Sequence, residues 1–205
     1  MTKTEQLFRR FGRQIVQGGY APGAALPSEA DLCRRFAVSR NVMREVVKML
    51  SARRLIDAQP YRGLFVAPGG QWNYLDADVL EWALEKGASP ELVRSLIEVR
   101  NLIEPAISRW AAERATAVDL VAIEASLDEM ASGRLGVAEF LAADIRYHRA
   151  VLAATHNVII GQLSDAIGAL QRAIFDFTYQ PGSARLELTV RQHRDLFDAI
   201  RRKNP

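Results

Sequence analysis

Cysteine occurs once in the 205 residues, at Cys33. One thiol closes no intramolecular disulfide and builds no cysteine-rich zinc site, which excludes a secreted, disulfide-stapled scaffold and a zinc finger. No uninterrupted apolar run reaches the length of a membrane-spanning helix, and Met1–Thr2–Lys3 leads into an amphipathic stretch without the apolar centre of a signal peptide. The expected location is therefore the cytoplasm, with no membrane partner. Histidine is scarce too, with three in the chain. The chain is nonetheless rich in apolar side chains, 49% of the total, so it folds around a core in one or two domains and is not a disordered tail.

Acidic residues are few in one region. Residues 1–68 hold 12 Lys/Arg against 5 Asp/Glu, a net of +7, whereas the remainder is 15 against 19, a net of −4. A basic first third joined to a mildly acidic remainder predicts that the first part meets a polyanion and the second does something else.

Leu7, Phe8, Phe11, Ile15 and Val16 recur at helical spacing as far as Gly18–Gly19 and Pro22–Gly23, which predicts a helix closed by a turn. Ser28 with an acid three residues on reads as an N-cap opening a short helix with Leu32 and Phe36. Ala37–Val38 is a tight turn. Ser39 is a second N-cap, before a helix that carries Val42, Met43, Val46, Val47 and Leu50. Leu55–Ala58 and Leu64–Val66 are strand-like runs joined by Gln59–Pro60–Tyr61–Arg62–Gly63, a hairpin. Three helices and a two-stranded wing in this order form a winged helix-turn-helix.

Ala67–Pro68–Gly69–Gly70 marks a boundary, and the glycine pair reads as a joint able to absorb a change of arrangement. Helical periodicity follows over Asp76–Lys86, Pro90 to about Arg114, Ala117–Met130, Val137–Thr155, Val158 to about Tyr179, and Ala184–Arg202. The expected fold is mainly α: an N-terminal winged helix-turn-helix over 1–68, a linker and connecting helix over 69–89, and an all-α antiparallel helical-bundle domain over 90–205.

Ser39–Glu45 places a hydroxyl, an amide and two guanidiniums near the start of a helix whose other face is apolar. Free amides at a helix N-terminus suit phosphate, and Arg40 with Asn41 can reach base edges, where arginine favours guanine and asparagine adenine. One short helix supplies too few contacts for operator-level affinity, so two half-sites and a homodimer on double-stranded DNA are expected.

These residues resemble the GntR family of bacterial transcription regulators. The shared pattern is Leu26-Pro27-Ser28-Glu29, Val38-Ser39-Arg40, Met43-Arg44-Glu45, Leu50, Leu55-Ile56 and Gly63-Leu64-Phe65-Val66, within residues 5–67. The resemblance implies that Ser39, Arg40 and Arg44 contact DNA and that Arg62–Gly63 at the wing tip enters the minor groove. Relatives often carry arginine where this chain has Ala30, and Arg34 or Arg35 is placed to compensate. The helical part resembles the FadR-type (FCD) effector domain in Glu98-Val99-Arg100, Glu104-Pro105-Ala106, Ala111-Ala112-Glu113-Arg114, Asp144-Ile145-Arg146-Tyr147-His148, Asn157 and His193-Arg194-Asp195. Trp72–Asp76 and Val79–Trp82 are similar to the galactonate-operon-repressor branch.

The polar residues of the bundle stand out without any relative. Asp144 and His148 lie one turn apart within the apolar face of Phe140, Leu141, Ile145, Val151 and Leu152. His193 sits on the stripe of Leu186, Val190, Phe197 and Ile200, and Arg100 lies between Leu96, Ile103 and Ile107. Burying such groups unpaired costs roughly 2–7 kcal/mol for a neutral polar group and more for a charge, so partners are required. Asp144, His148 and His193 read either as ligands of a divalent metal ion or as an Asp–His hydrogen bond in a polar core. The resemblance implies the former, with zinc first and manganese or nickel as alternatives. It also places a third histidine on a final helix that would begin beyond Pro205, while His156 should face outward. Arg100 reads either as a clamp for a ligand carboxylate or as the i,i+4 partner of Glu104, and Asn157 joins it as an effector-binding residue by resemblance.

The reading is a ligand-responsive transcription regulator, a repressor and not an enzyme, released from palindromic operator DNA by a small organic acid such as a sugar acid. The rival from another class is a metal-dependent enzyme with an appended nucleic-acid-binding domain, in which the same three residues activate water.

Overall fold

The computed structural model describes residues 1–85, 89–132, 136–164, 167–168 and 183–204. The chain divides into two compact units, 1–89 and 90–205.

In the first unit, α1 (Lys3–Gln14) begins at a capping box in which the Thr2 side chain accepts from the Glu5 amide and Glu5 accepts from the Thr2 amide. The Ser28 hydroxyl caps α2 (Glu29–Phe36), which ends at Ala37 in the left-handed conformation, φ 53°. Ser39 caps α3 (Arg40–Ala52) by accepting from the Val42 amide. The wing is an antiparallel pair, β1 (Ile56–Gln59) and β2 (Gly63–Val66), in register Ile56 to Val66 and Gln59 to Gly63. Residues 23–26 extend it along the other edge of β2, where the Leu26 amide donates to Leu64 and the Val66 amide to Ala24. Phe8, Phe11, Leu32, Met43, Val46, Leu50 and Leu55 fill the centre.

The segment after the wing departs from the expectation of a free joint. Gly69–Gln71 forms a single 3₁₀ turn, the Trp72 indole N–H donates to the Ala67 carbonyl at 2.9 Å, and the Asn73 amide donates to Arg53. Asp76 then caps α4 (Ala77–Leu84). Trp82 of α4 is buried with its ring 5.3 Å from that of Phe8, and Gly12 of α1 provides the notch: a Cβ there would stand 2.2 Å from Trp82 Cζ3. Arg53 lies 4.4 Å over the Phe8 ring and pairs with Asp76 and Asp78, while Arg9 pairs with Asp78 and Arg13 with Glu85. Burial of one tryptophan and this set of ion pairs make 69–85 part of the first unit, and the glycine pair lies inside that unit.

The second unit consists of α5 (Pro90–Arg114), α6 (Ala117–Ala131), α7 (Val137–Ala153), α8 (Val158–Gln162) and α9 (Ser183–Arg201). Thr116 and Asp119 form the capping box of α6. Ile107, Ala111, Ile123, Leu127, Ala143, Tyr147, Phe197 and Ile200 are among its buried residues. Of the long helix expected from Val158 to about Tyr179, residues 165–166 and 169–179 lie outside the described residues. No described helix is long and apolar enough to cross a membrane.

Candidate functional site

On the first unit, Arg34, Arg35, Ser39, Arg40, Asn41, Arg44, Arg62 and Gly63 are all exposed. The packing of Met43, Val46, Val47 and Leu50 into the core turns the opposite side of α3 outward, so that Arg40, Asn41 and Arg44 project from its first turns. Arg44 Nε is 3.6 Å from Glu29 Oε2, a solvent-exposed pair that a phosphate can displace at little cost. Arg34 pairs with Asp31, and Arg35 donates to the Tyr20 hydroxyl at 2.8 Å. Across the hairpin, Tyr61 is fully exposed, Arg62 lies 5.6 Å over the Phe65 ring, and Gly63 adopts φ 97°, a conformation that favours glycine at the wing turn.

In the second unit, α7 and α9 bring Asp144, His148 and His193 together, one turn of α7 carrying the first two. Asp144 Oδ1 is 3.0 Å from His193 Nε2 and 3.9 Å from His148 Nε2, and the two Nε2 atoms are 3.2 Å apart. His193 Nδ1 lies 2.7 Å from the Thr189 carbonyl, an acceptor only, so Nδ1 carries a proton, and Nε2 is the ring nitrogen that faces Asp144 and His148. Burial pushes His148 down to about 3, outweighing the pull of Asp144, so its imidazole is neutral at ordinary pH. Burial opposes the charge on Asp144, yet the His193 hydrogen bond with His148, His193 and Arg100 nearby holds its carboxyl below the usual range. Two imidazole Nε2 atoms and a carboxylate oxygen thus converge on one place.

That arrangement fits a cation. A point equidistant from the three atoms lies about 2.0 Å from each, within the range of zinc–nitrogen and zinc–oxygen bonds. Donation of the far imidazole nitrogen to a backbone carbonyl is also how metal-bound histidines are held.

Arg100 pairs with Glu104 through Nε and Oε1, the i,i+4 alternative read from the sequence. Its charge also acts on Asp144 and His148. Glu104, Ile107, Ser108, His148, Val151 and Leu152 line a cavity of about 40 Å³. Asn157 is not among its lining residues; it caps α8, accepting from the amides of Ile159 and Ile160. His156 faces outward, 49% exposed, against Asp119 at 2.8 Å. Tyr147, to which the sequence pattern assigns no role, donates its hydroxyl to the His193 carbonyl at 2.7 Å and packs its ring 4.6 Å from that of His193. Its place between Asp144 and His148 in a polar stretch was the available signal. Burial, reinforced by Asp144, keeps this phenol protonated well above the ordinary tyrosine range.

An exposed arginine-bearing α3 beside a wing, on the same chain as a helical unit with an internal polar cluster, defines a DNA-binding transcription regulator with an effector domain. The sequence matches "Bacterial regulatory proteins, gntR family" over residues 3–66 and "FCD domain" over 95–205. It is 52% identical over 204 residues to the galactonate operon transcriptional repressor of Escherichia coli K12, covering 100% of this chain and 89% of that protein. It is 26% identical over 202 residues to the Glc operon transcriptional activator of the same organism, covering 94% and 78%. Among solved structures, Streptococcus agalactiae GntR superposes with a TM-score of 0.51 at 25% identity, covering 98% of this chain and 91% of that one. The chain belongs to the GntR family of transcription regulators, in the group with an FCD effector domain.

Proposed function

We propose that this protein is a homodimeric repressor of a sugar-acid operon, released from its operator by an aldonic acid of the galactonate type. The observation that carries the reading is the 52% identity, along the whole chain, to a repressor named for galactonate, which covers both the DNA-binding unit and the effector domain. In this reading Arg40 and Asn41 read base edges, Ser39 and Arg44 hold phosphates, Arg34 and Arg35 add positive charge behind α3, and Arg62 with Gly63 sits in the minor groove.

Asp144, His148 and His193 would hold a divalent ion, with zinc favoured by the mixed nitrogen and oxygen donors and manganese or nickel as alternatives. The ion would supply a fixed positive centre for a hydroxy-acid oxygen. Arg100, once it exchanges Glu104 for the ligand, orients the carboxylate through its planar fork. The cavity of about 40 Å³ beside Glu104 and His148 has room for a water molecule and not for a six-carbon acid.

The test is operator binding by the purified protein with galactonate, galactose and no addition. Release by the acid alone is expected; release by neither, or equally by both, overturns the effector assignment. Consumption of the acid by the purified protein would overturn the regulatory reading in favour of an enzyme.

A further inference from the structure

The side of α5 turned away from the bundle is charged in a pattern that complements itself. Ile107 and Ala111 bury the inner face, and Ala112, near the C-terminal end, is buried at the edge of the outer arc. On the outer face Arg94, Glu98, Leu102, Pro105, Arg109 and Glu113 are exposed, and at 100° per residue they fall within one 100° arc. Two features single this stripe out. Its middle is apolar and open to solvent: Leu102 is 77% exposed and the adjoining Val99 53%. Its charges run plus, minus, then plus, minus along the helix.

A second α5 laid antiparallel about a two-fold axis between residues 103 and 104 reads that order in reverse. Arg94 then faces Glu113 of the other copy, Glu98 faces Arg109, and Leu102 meets Pro105. A parallel pair in the same register would set every charge against its like. We propose that this face is where two copies of the protein pair, as an isologous antiparallel contact of α5 with α5. The proposal rests on the homodimer in the reading above and assigns its surface. The intrahelical pair of Arg109 with Glu113 at 3.0 Å does not compete, since a guanidinium can hold Glu98 of the second copy as well. Leu102 and Pro105 exclude water from the centre, and the flanking charges fix orientation and register.

The experiment is sedimentation equilibrium on the full-length parent, Glu98→Arg, Arg109→Glu and the double variant, with circular dichroism to check that each is folded. Both sites are exposed, so the fold should be retained. The parent should be a dimer. Each single reversal places like charges together twice across the two-fold axis and should raise the dimer dissociation constant at least about tenfold, and the double variant should return to within a few-fold of the parent. A parent that is monomeric at every concentration overturns both this proposal and the homodimer reading. A dimeric parent whose single variants dimerise equally well overturns the α5 face alone. Singles that dissociate with no recovery in the double overturn the antiparallel register.

Discussion

Replacing Gly12 by alanine tests whether α4 is part of the DNA-binding unit. In an ordinary helix interior the change stabilises by about 1 kcal/mol, because glycine loses more backbone freedom on folding. Here the new Cβ would stand 2.2 Å from Trp82 Cζ3, 2.6 Å from Cη2 and 3.1 Å from Leu50 Cδ2. Carbon pairs prefer about 3.5–4.0 Å, so the indole has to move by more than an ångström. Its other side is held by Phe8. Overpacking of this kind costs about 1–3 kcal/mol, and the upper end applies to a ring with nowhere to go. The expected net loss is therefore about 2 kcal/mol. In a Trp82→Leu background the notch is vacant, and Gly12→Ala should regain its usual 1 kcal/mol, a coupling of about 3 kcal/mol. Urea unfolding followed by tryptophan fluorescence in a Trp110→Phe background reports the first unit alone, because the remaining tryptophans, Trp72 and Trp82, both lie in it. If Gly12→Ala stabilises the Trp82 protein as much as the Trp82→Leu protein, α4 does not dock on α1 and the linker is free.

Arg40→Ala should cost about 1–3 kcal/mol of operator affinity and relax specificity at one position per half-site, whereas Arg44→Ala should weaken all sequences alike and lower the salt slope by about one unit; gel-shift titrations at several salt concentrations decide. Between the ordinary histidine value of 6.5 and about 3, unfolded chains bind a proton at His148 that the folded chain refuses, so stability of the second unit should fall as pH drops through that window. The slope approaches 1.4 kcal/mol per pH unit at most, adds to a loss from Asp144 below 3.8, and should flatten in His148→Gln when urea midpoints are measured in chelator. For the effector, saturating galactonate should raise the unfolding temperature of the parent, Arg100→Ala should abolish that shift while keeping operator binding, and Glu104→Gln should enlarge it; equal shifts in all three remove Arg100 from the site.

The apolar spacing and the serines at 28 and 39 were enough to order the winged helix, because a cap and a stripe are local properties of the chain. The approach of Asp144, His148 and His193 was legible for the same reason. Ionisable groups on otherwise apolar stripes of two helices have few ways to be satisfied except by meeting. Trp82 and Gly12 were not legible, since a glycine in a helical pattern signals weakness locally, and only the other helix shows it to be a notch. Gly69–Gly70 misled in the opposite sense. Glycine permits a joint, but here Trp72 and Asn73 close the segment with hydrogen bonds to Ala67 and Arg53. The choice for Arg100 lay beyond periodicity as well, because Glu104 and a bound carboxylate offer the guanidinium the same chemistry.

That last ambiguity has an energetic content. Exchange of Glu104 for a ligand carboxylate replaces one partly exposed pair by another, and helix pairs at this spacing contribute only about 0.3–0.5 kcal/mol. Even a 1 mM affinity requires about 4 kcal/mol, so Arg100 alone cannot retain an acid against its own helix neighbour. The remainder has to come from a second anchor within reach of the same molecule. The only described group of histidine, cysteine or acidic residues able to hold a metal is Asp144, His148 and His193, and the influence of Arg100 on Asp144 and His148 puts the two anchors in one electrostatic neighbourhood. In the proposed reading a plain monocarboxylate would engage one anchor and lose to Glu104, whereas a hydroxy acid would engage both; Glu104 would then be a filter against small carboxylates, and a cation held by Asp144, His148 and His193 the feature that admits sugar acids.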